Sequence, residues 1–254
     1  MKMKMKKQNK TKPIGPQLVE QLNYLKLPFI KDYHQELSEQ AAQKNWGCIG
    51  YLEHLIQGEV QQRTDKRITR RIAMARFPVI KTLDQFDWNW PKKVDQTQIK
   101  NLFRLAFVKE KSNVGLGKTH LATALAYQAC LKTYSVLFTT AVDIINTLSA
   151  AQATHRLKQQ LKKYITPEIL LIDELGYIPI DKGGADLLFQ VFSLRYESGS
   201  TILTTNTVFK KWSKIFNNDS TLTSALLDRL LHHATTVTLE GKSYRMKDRI
   251  SELE

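Results

Sequence analysis

Cysteine is scarce in this sequence, with Cys48 and Cys130 as the only two among its 254 residues. Two cysteines so far apart match neither the spacing of a zinc site nor a disulfide framework. The pattern is typical of a reducing compartment, so we expect a cytoplasmic protein. Cys130 lies in an apolar helical stretch, where we expect it to serve packing. The adjacent His232 and His233 suggest surface histidines rather than a metal site.

Long apolar runs are absent as well. No stretch of the sequence approaches the roughly 18 apolar residues that a membrane span needs, and the lysine-rich start lacks the apolar segment of a secretory signal peptide. We therefore expect no membrane partner. Residues 1–16 combine lysines with Pro13, Gly15 and Pro16, a composition that predicts a disordered basic tail.

Acidic residues are few relative to basic ones: 24 Asp and Glu stand against 38 Lys and Arg, a formal net charge of +14. Such an excess favours a polyanionic partner, above all nucleic acid. The alternative is a generally basic protein without such a partner. Hydrophobic residues make up 42% of the chain, enough for one large α/β domain preceded by a small helical one.

The front of the chain shows helical periodicity and no sign of a strand. Apolar residues recur at helical spacing in three successive segments. Pro28 and the stretch 45–47 end the first two segments, and Pro78 limits the third. In the third segment we expect an inward-facing set of apolar residues: Leu52, Leu55, Ile56 and Val60. We predict a helical module for DNA or partner binding at 17–80, followed by a linker at 81–98.

From residue 99 to 254, apolar strand runs alternate with amphipathic helices. This alternation is typical of an α/β domain whose parallel sheet is covered by helices on both faces. The predicted strands are 136–140, 169–172, 201–205 and 235–240. Single helices are predicted at 119–132, 184–197 and 222–231, and more than one helix within 141–164.

The stretch Gly115-Leu116-Gly117-Lys118-Thr119 has the form of the end of a phosphate-binding loop. A glycine-rich loop before a helix presents backbone N–H groups to phosphate, and the helix dipole adds positive potential. In such a loop, Lys118 contacts the β and γ phosphates, and the Thr119 hydroxyl binds Mg²⁺. The motif therefore predicts a nucleoside triphosphate and magnesium as cofactors.

The upstream half of this loop departs from the pattern, which asks for a glycine where Ser112 stands. A strand must also aim the loop, and the segment 105–108 is the only candidate nearby. Residues 109–114 then make the whole turn. Either the loop is distorted, or the chain has lost a short segment next to Val114.

Residues 170–174 read Leu-Leu-Ile-Asp-Glu, an apolar run that ends in two carboxylates. Such a run is typical of a central strand whose carboxyl end meets the ligand. Asp173 is then placed to hold Mg²⁺, directly or through water, and Glu174 to polarise the attacking water. The alternative is a solvated acidic turn before Gly176.

Three further polar residues are candidates for the same chemistry. Asn206 ends a predicted strand, where it is placed to orient the water or contact the γ-phosphate, and a plain turn asparagine is the alternative. Arg229 has apolar neighbours and is a candidate arginine finger towards a neighbouring subunit's nucleotide. Its alternative role is a local ion pair with Asp228. Arg245 is a candidate sensor of the γ-phosphate.

Together these motifs resemble the IstB-like transposition helper ATPases, which are AAA+ proteins close to bacterial helicase loaders. The resemblance covers residues 17–249 and rests on five stretches in this order: Gly-Leu-Gly-Lys-Thr-His-Leu, Leu-Leu-Ile-Asp-Glu-Leu-Gly-Tyr, Leu-Thr-Thr-Asn, Leu-Leu-Asp-Arg-Leu-Leu-His-His and Gly-Lys-Ser-Tyr-Arg. It implies an AAA+ P-loop NTPase core, ATP and Mg²⁺ as cofactors, a homo-oligomer on DNA, and a partner transposase that is recruited or stimulated. The alternatives are a helicase loader and a DNA-binding remnant that has lost its nucleotide.

The resemblance also implies roles for single residues: Lys118 and Thr119 for nucleotide, Asp173 and Glu174 for Mg²⁺ and hydrolysis, Asn206 as first sensor and Arg229 as finger. Members of the family place an apolar strand and a glycine between Val114 and Gly115, and these two residues are adjacent in this chain. By comparison with the family pattern, we expect a deletion of about six residues that removes the central strand carrying the loop.

Basic residues recur at three- and four-residue spacing near the end of the third predicted helix. We predict that they bind the phosphates of double-stranded DNA without sequence preference and with strong salt dependence. A solvated helix face is the alternative. The predicted stripe consists of Arg63, Lys66, Arg67, Arg70 and Arg71. A second basic patch is predicted near Trp212, at Lys210, Lys211 and Lys214.

Overall fold

The computed structural model describes residues 15–89, 94–117 and 119–238. Residues 1–14 of the predicted basic tail, Lys118 and Arg245 lie outside these ranges. The chain divides into two compact units, Met1–Thr69 and Arg70–Glu254. Among the described residues, no helix is both long and apolar enough to cross a membrane.

The first unit is built from α1 (Pro16–Tyr24), α2 (Pro28–Lys44) and most of α3 (Cys48–Ala75). Pro28 occupies the first turn of α2, where its missing N–H costs nothing. Asn45 ends α2 in the left-handed conformation, with φ of 53°. The prediction of a helical front without strands is confirmed for the described residues of this unit.

A buried carboxylate, Glu59 of α3, ties α3 to the start of α2. Its Oε2 accepts hydrogen bonds from the backbone N–H groups of Phe29 (2.9 Å) and Ile30 (3.4 Å), which lack partners inside their own helix. Its Oε1 accepts from Arg63 Nε at 3.1 Å. Glu59 is only 3% exposed, and these bonds satisfy a charge that is otherwise costly to bury.

The expected inward face of α3 is mostly wrong. Three of its four predicted members are exposed: Leu52 (51%), Ile56 (47%) and Val60 (58%). The face that α2 covers carries Tyr51, Leu55 and Glu59, which follow one another at four-residue spacing. Tyr51 Oη donates to the His34 carbonyl of α2 at 2.9 Å, and Leu55 is 7% exposed. One neighbouring helix covers one face, so the rest of the apolar periodicity points to solvent.

The second unit is an α/β domain around a parallel sheet, as predicted. Its strands are β1 (Asn113–Leu116), β2 (Val136–Thr140), β3 (Ile169–Leu175), β4 (Ser200–Thr205) and β5 (Ala234–Val237). Its helices after α3 are α4 (Gln96–Leu102), α5 (Ala106–Lys109), α6 (Thr119–Leu131), α7 (Ala141–Ala153), α8 (Leu157–Ile165), α9 (Lys182–Arg195), α10 (Trp212–Ile215) and α11 (Ser220–Leu231). The described residues form a five-stranded sheet in the order β2-β3-β4-β1-β5, and every pairing is parallel.

The strands are buried on both faces, as their unbroken apolar runs predict. In β3, Leu170 and Ile172 belong to one hydrophobic cluster, which includes residues of α7, α9 and α11. Ile169 and Leu171 belong to a second cluster, which includes residues of α4 and α6. Cys130 is fully buried in this second cluster, and burial raises the pKa of its thiol to about 12. The protonated thiol fits the packing role that we expected.

The segment 105–108 was the candidate for the strand before the phosphate loop, and this prediction is wrong. Most of it belongs to the short helix α5. The central strand is β1, formed by residues that the motif assigns to the loop. Val114 of β1 pairs with Ile202 of β4 on one side and Thr235 of β5 on the other. The expectation that the central strand is missing is therefore also wrong.

Backbone pairing explains why this segment becomes a strand. Without it, β4 and β5 would each present a row of unpaired N–H and C=O groups to the gap between them. Residues 113–116 satisfy both rows, and Val114 and Leu116 are 1% and 3% exposed. Asn113 adds two side-chain bonds: its Nδ2 donates to the Leu230 carbonyl (3.1 Å), and its Oδ1 accepts from the Thr201 N–H (2.9 Å). These pairings outweigh the local tendency of the glycines to form a loop.

Arg195, at the end of α9, is a buried cation that no sequence motif marked. It is 1% exposed, and burial lowers the pKa of its guanidinium to about 10. Its N–H groups donate to five oxygens near the starts of β3 and β4: the carbonyls of Tyr164, Pro167, Glu168 and Ser200, and Thr201 Oγ1. Backbone oxygens thus take the place of a carboxylate partner.

Candidate functional site

Asp173 occupies the carboxyl end of β3, next to the start of α6. It is 5% exposed. Its Oδ1 accepts a hydrogen bond from Thr119 Oγ1 at 2.9 Å and a short one from Thr204 Oγ1 at the end of β4. The structure therefore brings together Thr119 and Asp173, which lie 54 residues apart in the sequence and were predicted to share a magnesium ion.

The donor atoms around Asp173 fit Mg²⁺. A carboxylate and a hydroxyl are hard oxygen ligands, and Mg²⁺ is usually held by one or two carboxylates together with water and phosphate oxygens. Thr204, to which the sequence analysis assigned no role, donates to the Asp173 carboxylate and so fixes its orientation. The role of Thr204 follows from its position near the end of β4, the strand next to β3. It could be predicted only with the strand order known.

The side chains of Asp173 and Glu174 point in different directions because β3 is irregular at this place. The register with β4 shifts between Ile172 and Leu175, and Glu174 adopts φ of 61°, an unusual value for a residue with a side chain. Its N–H donates to Thr204 Oγ1 at 3.0 Å, and its side chain is exposed. A bulge at a strand end re-aims a side chain, so the carboxylate of Glu174 faces solvent while that of Asp173 is buried.

Asn206 lies just beyond β4 at the same edge of the sheet. It is exposed, and its Oδ1 accepts from Thr207 Oγ1 at 2.9 Å. A cleft of about 430 Å³ opens here between the carboxyl ends of β1, β4 and β5. Gly115, Gly117 and Asn206 all line this cleft, so three of the predicted site residues share one surface.

The connection between β1 and α6 is too short for the predicted phosphate cradle. Only Gly117 and Lys118 separate Leu116 from Thr119. Gly115 pairs with Leu203 and Thr236 as part of the ladder, so its backbone belongs to the sheet. Among the described residues of this connection, the N–H groups outside the ladder are those of Gly117 and of the start of α6. The described residues fit Mg²⁺ at Asp173, but they do not form a full triphosphate cradle.

Arg229 lies at the opposite edge of the sheet, where the strands begin. It lines a cavity of about 250 Å³ together with Asn113, the first residue of β1. Its Nη1 donates to the Ala225 carbonyl at 2.9 Å, and its guanidinium stacks 4.8 Å from the Phe189 ring. Within the described residues Arg229 forms no ion pair, so the local pair with Asp228 is not seen. In its own chain Arg229 is not brought together with Asp173.

The predicted basic stripe has members in both units. In the first unit, Arg63 is held by Glu59 and by the Lys26 carbonyl, whereas Lys66 and Arg67 are exposed. In the second unit Arg70 is exposed. Arg71 is half-buried, and its Nε donates to the Thr133 carbonyl at 3.1 Å. Two of the five predicted residues are thus committed to internal contacts. The second predicted patch, at Lys210, Lys211 and Lys214, lies just after β4.

A basic cavity of about 610 Å³ in the second unit was missed by the sequence analysis. It lies beside the start of β2, and Ser135 and Val136 form part of its wall. Four cationic side chains line it: Arg71, Arg76, Lys162 and Lys163. The two lysines belong to α8, far along the chain from the two arginines, so their clustering depends on the fold.

The sheet order, the acidic end of β3 and the helix that follows β1 define an AAA+ P-loop NTPase fold. Two solved structures share this fold: the DnaC helicase loader, with a TM-score of 0.50, 20% identity, and coverage of 63% of this chain and 96% of that chain; and DnaI, with a TM-score of 0.51, 18% identity, and coverage of 66% and 93%. At these identities, the likeness concerns the fold alone.

The chain belongs to the family of IstB-like ATP binding proteins, whose family model matches residues 20–252. The chain is 37% identical over 241 residues to the ATP-binding protein of insertion sequence IS232 from Bacillus thuringiensis subsp. berliner, covering 92% of this chain and 96% of that protein. It is 38% identical over 234 residues to the ATP-binding protein of insertion sequence IS21 from Pseudomonas aeruginosa, covering 90% and 88%. The predicted family is confirmed.

Proposed function

We propose that this chain is the helper protein of an IS21-type insertion sequence and acts in the cytoplasm. It binds double-stranded DNA, assembles there with further copies of itself, and recruits or stimulates a partner transposase. The observation that carries this proposal is the family match over residues 20–252, which includes the helical front as well as the ATPase unit. The net charge of +14 supports a nucleic-acid partner.

This match also weighs against the alternative of a helicase loader. The likeness to the DnaC helicase loader, at 20% identity, concerns the fold alone. The insertion-sequence relative is 37% identical over 92% of this chain, which includes the helical front. The full-length match therefore favours the transposition role.

ATP and Mg²⁺ are the cofactors that family membership supports. Proposed roles follow the geometry where the residues are described: Thr119 and Asp173 for Mg²⁺, Glu174 and Asn206 for the water, and Arg229 for a neighbouring copy's nucleotide. Lys118 and Arg245 are proposed nucleotide contacts outside the described residues. Bound ATP would supply the γ-phosphoryl group that is transferred to water, and Mg²⁺ would neutralise part of the negative charge of the phosphates.

The two-residue connection between β1 and α6 favours a second version of this function. In that version the chain binds DNA and its transposase but does not turn over ATP. The acidic part at Asp173 would then persist as a structural feature, stabilised by the hydroxyls of Thr119 and Thr204. Both versions share the DNA and transposase partners, and they differ in one measurable property.

Two binding assays on the full chain separate the versions. Calorimetric titration with a non-hydrolysable ATP analogue and Mg²⁺ measures nucleotide binding, and fluorescence anisotropy with a labelled random-sequence duplex measures DNA binding. Analogue binding that is lost in Lys118→Ala and Asp173→Asn supports the ATP-dependent version. DNA binding without measurable analogue binding supports the second. Absence of DNA binding in 0.1 M salt would overturn the proposed function as a whole.

Anisotropy at several salt concentrations also locates the DNA surface. Each lost phosphate contact lowers the slope of log K against log salt by about 0.9. We expect the double variants Lys66→Ala/Arg67→Ala and Lys162→Ala/Lys163→Ala to lower it by about 2 each if both surfaces touch phosphate. The matched control is Lys44→Ala/Lys182→Ala. It removes two exposed lysines that belong to neither of these surfaces. An equal drop in all three variants would mean that only net charge matters.

A further inference from the structure

Three side chains that commonly bind metals converge at the amino edge of the sheet. Glu197 follows α9, and His232 and His233 follow α11. One ligand atom from each residue lies within 4.8 Å of the others, and all three residues are exposed. Their clustering depends on the packing of α9 against α11, which brings together residues 35 positions apart in the chain.

The backbone beneath these residues is anchored. The carbonyl of His233 accepts a hydrogen bond at 2.7 Å from the N–H of Asn113 in the central strand. Glu197 sits in a tight turn with φ of 55°. The N–H groups that follow it, of Ser198 and Gly199, donate to the carbonyl of the buried Arg195 at 3.0 and 3.1 Å. Binding at this place would therefore cost little ordering of the main chain.

A fourth residue orients one of the imidazoles. Tyr196 Oη lies 3.0 Å from His232 Nδ1. In the tautomer whose Nδ1–H donates to this oxygen, Nε2 has its lone pair free as the ligand atom. A histidine ligand usually makes such a contact through its second ring nitrogen, which fixes its tautomer and ring orientation. The rings of His232 and His233 lie with centroids 4.1 Å apart, close enough to face one ion.

We propose that Glu197, His232 and His233 form a binding site for a divalent transition-metal ion such as Zn²⁺, with water in the remaining positions. Two imidazoles and one carboxylate are a donor set that suits zinc and its neighbours, whereas Mg²⁺ prefers oxygen ligands throughout. The site lies at the opposite edge of the sheet from Asp173, so it is separate from the proposed magnesium centre.

The cavity that Tyr196, Glu197 and His233 line has charged groups of both signs in its wall. Lys111 and Arg229 line it as well, together with Glu110. The guanidinium of Arg229 is held on the Phe189 ring and the Ala225 carbonyl. An ion bound here would link the turn after α9 to the end of α11 and stabilise the folded unit by mass action.

The test uses the tag-free full chain and Co²⁺ as a spectroscopic probe for zinc. Titration with Co²⁺ should give visible absorption bands that saturate at one ion per chain, and Zn²⁺ should displace the cobalt. We expect Glu197→Gln and the double variant His232→Gln/His233→Gln to weaken binding at least about 10-fold, and Tyr196→Phe to weaken it about 10-fold through loss of the oriented tautomer.

Two controls separate this site from others on the chain. His155→Gln removes an exposed histidine elsewhere, and Asp173→Asn alters the proposed magnesium centre, so both should leave the cobalt bands unchanged. Circular dichroism without metal should show that the variants fold, since all three ligands are exposed. Equal Co²⁺ affinity in the parent and the double histidine variant would overturn the proposal, as would loss of the bands in Asp173→Asn alone.

Discussion

The predicted nucleotide centre has two parts in this molecule, an acidic part at the end of β3 and a loop part between β1 and α6. In the acidic part, Asp173 is buried and held by the hydroxyls of Thr119 and Thr204. In the loop part, residues 113–116 pair on both sides as a central strand, and two residues remain as the connection. Residues of the loop motif thus form the central strand, because the buried backbone groups of β4 and β5 must be paired.

The two parts also differ in what supports them. Arg195 binds oxygens at the starts of β3 and β4, the two strands that carry Asp173 and Thr204. The loop part depends on the short pairings of β1 and on the side chain of Asn113. The strands of the acidic part are therefore held at both ends. Because the two parts depend on different side chains, each can be altered separately by mutation.

The largest expected effect comes from Arg195→Met, which removes the support of the acidic part. Several buried carbonyls lose their donors, at about 1–3 kcal/mol for each unsatisfied group, so we expect a loss of about 4 kcal/mol in the free energy of unfolding. Urea denaturation followed by circular dichroism measures it. Arg156→Met is the matched control, since Arg156 is exposed. A loss as small as that of the control would contradict the supporting role of Arg195.

Repair of the loop part should have the next largest effect. We would insert about six residues, an apolar strand segment ending in glycine, between Val114 and Gly115 to supply the family pattern. The inserted strand frees the amides of 115–117 for phosphate. Two recovered charge-assisted bonds of about 1.5 kcal/mol each correspond to roughly 100-fold tighter binding of an ATP analogue.

Calorimetry with the analogue and Mg²⁺ checks this repair. The same insertion combined with Lys118→Ala serves as the control and should lose most of the gain. If the parent chain already binds the analogue as tightly as the repaired one, the short connection is sufficient and the contrast between the two parts disappears.

Thr204→Val tests the acidic part by itself. The variant keeps the shape of the side chain but leaves Asp173 Oδ1 without one donor and the Glu174 N–H without its acceptor. We expect a loss of about 1–3 kcal/mol in the free energy of unfolding, read from urea denaturation. Thr236→Val, on the exposed side of β5, should be close to neutral. Similar losses in both variants would mean that Thr204 acts only through strand propensity.

The smallest expected effect is that of Gly115→Ala. In a working phosphate loop this glycine lets the backbone approach the ligand, but in β1 an added Cβ meets nothing closer than 3.6 Å. We expect a stability gain of up to about 1 kcal/mol, because alanine replaces glycine inside a strand. Gly176→Ala is the contrasting variant, since Gly176 has φ of 92° and its Cβ would meet Ile215 at 2.6 Å. A strong loss in Gly115→Ala would show that residue 115 is not an ordinary strand position.

Much of the fold was predictable from the sequence. The strands at 136–140 and 201–205 and the helices at 119–132 and 222–231 agree with the structure to within two residues at each end. The acid pair was also placed correctly, at the end of a buried strand. These features depend on periodicity and on apolar runs, which any short window of sequence contains.

The failures share a different cause. Residues 105–108 were the only candidate for the strand before the loop and lie mostly in a helix, and half of the glycine motif became β1. The inward face of α3 was assigned from periodicity, although one neighbouring helix covers only part of it. In each case the outcome depends on which distant segment lies alongside, and local pattern does not contain that information.

Outside residues 105–116, local pattern was thus sufficient for most kinds of element, their order and the chemical types at the ends of the strands, since neighbours in sequence impose these. Three results came only from packing in three dimensions: the choice of 113–116 as the central strand, the five-oxygen environment of Arg195, and the meeting of Glu197 with His232 and His233. The reason is that backbone pairing, burial of a charge and convergence of ligands are satisfied by partners many residues away.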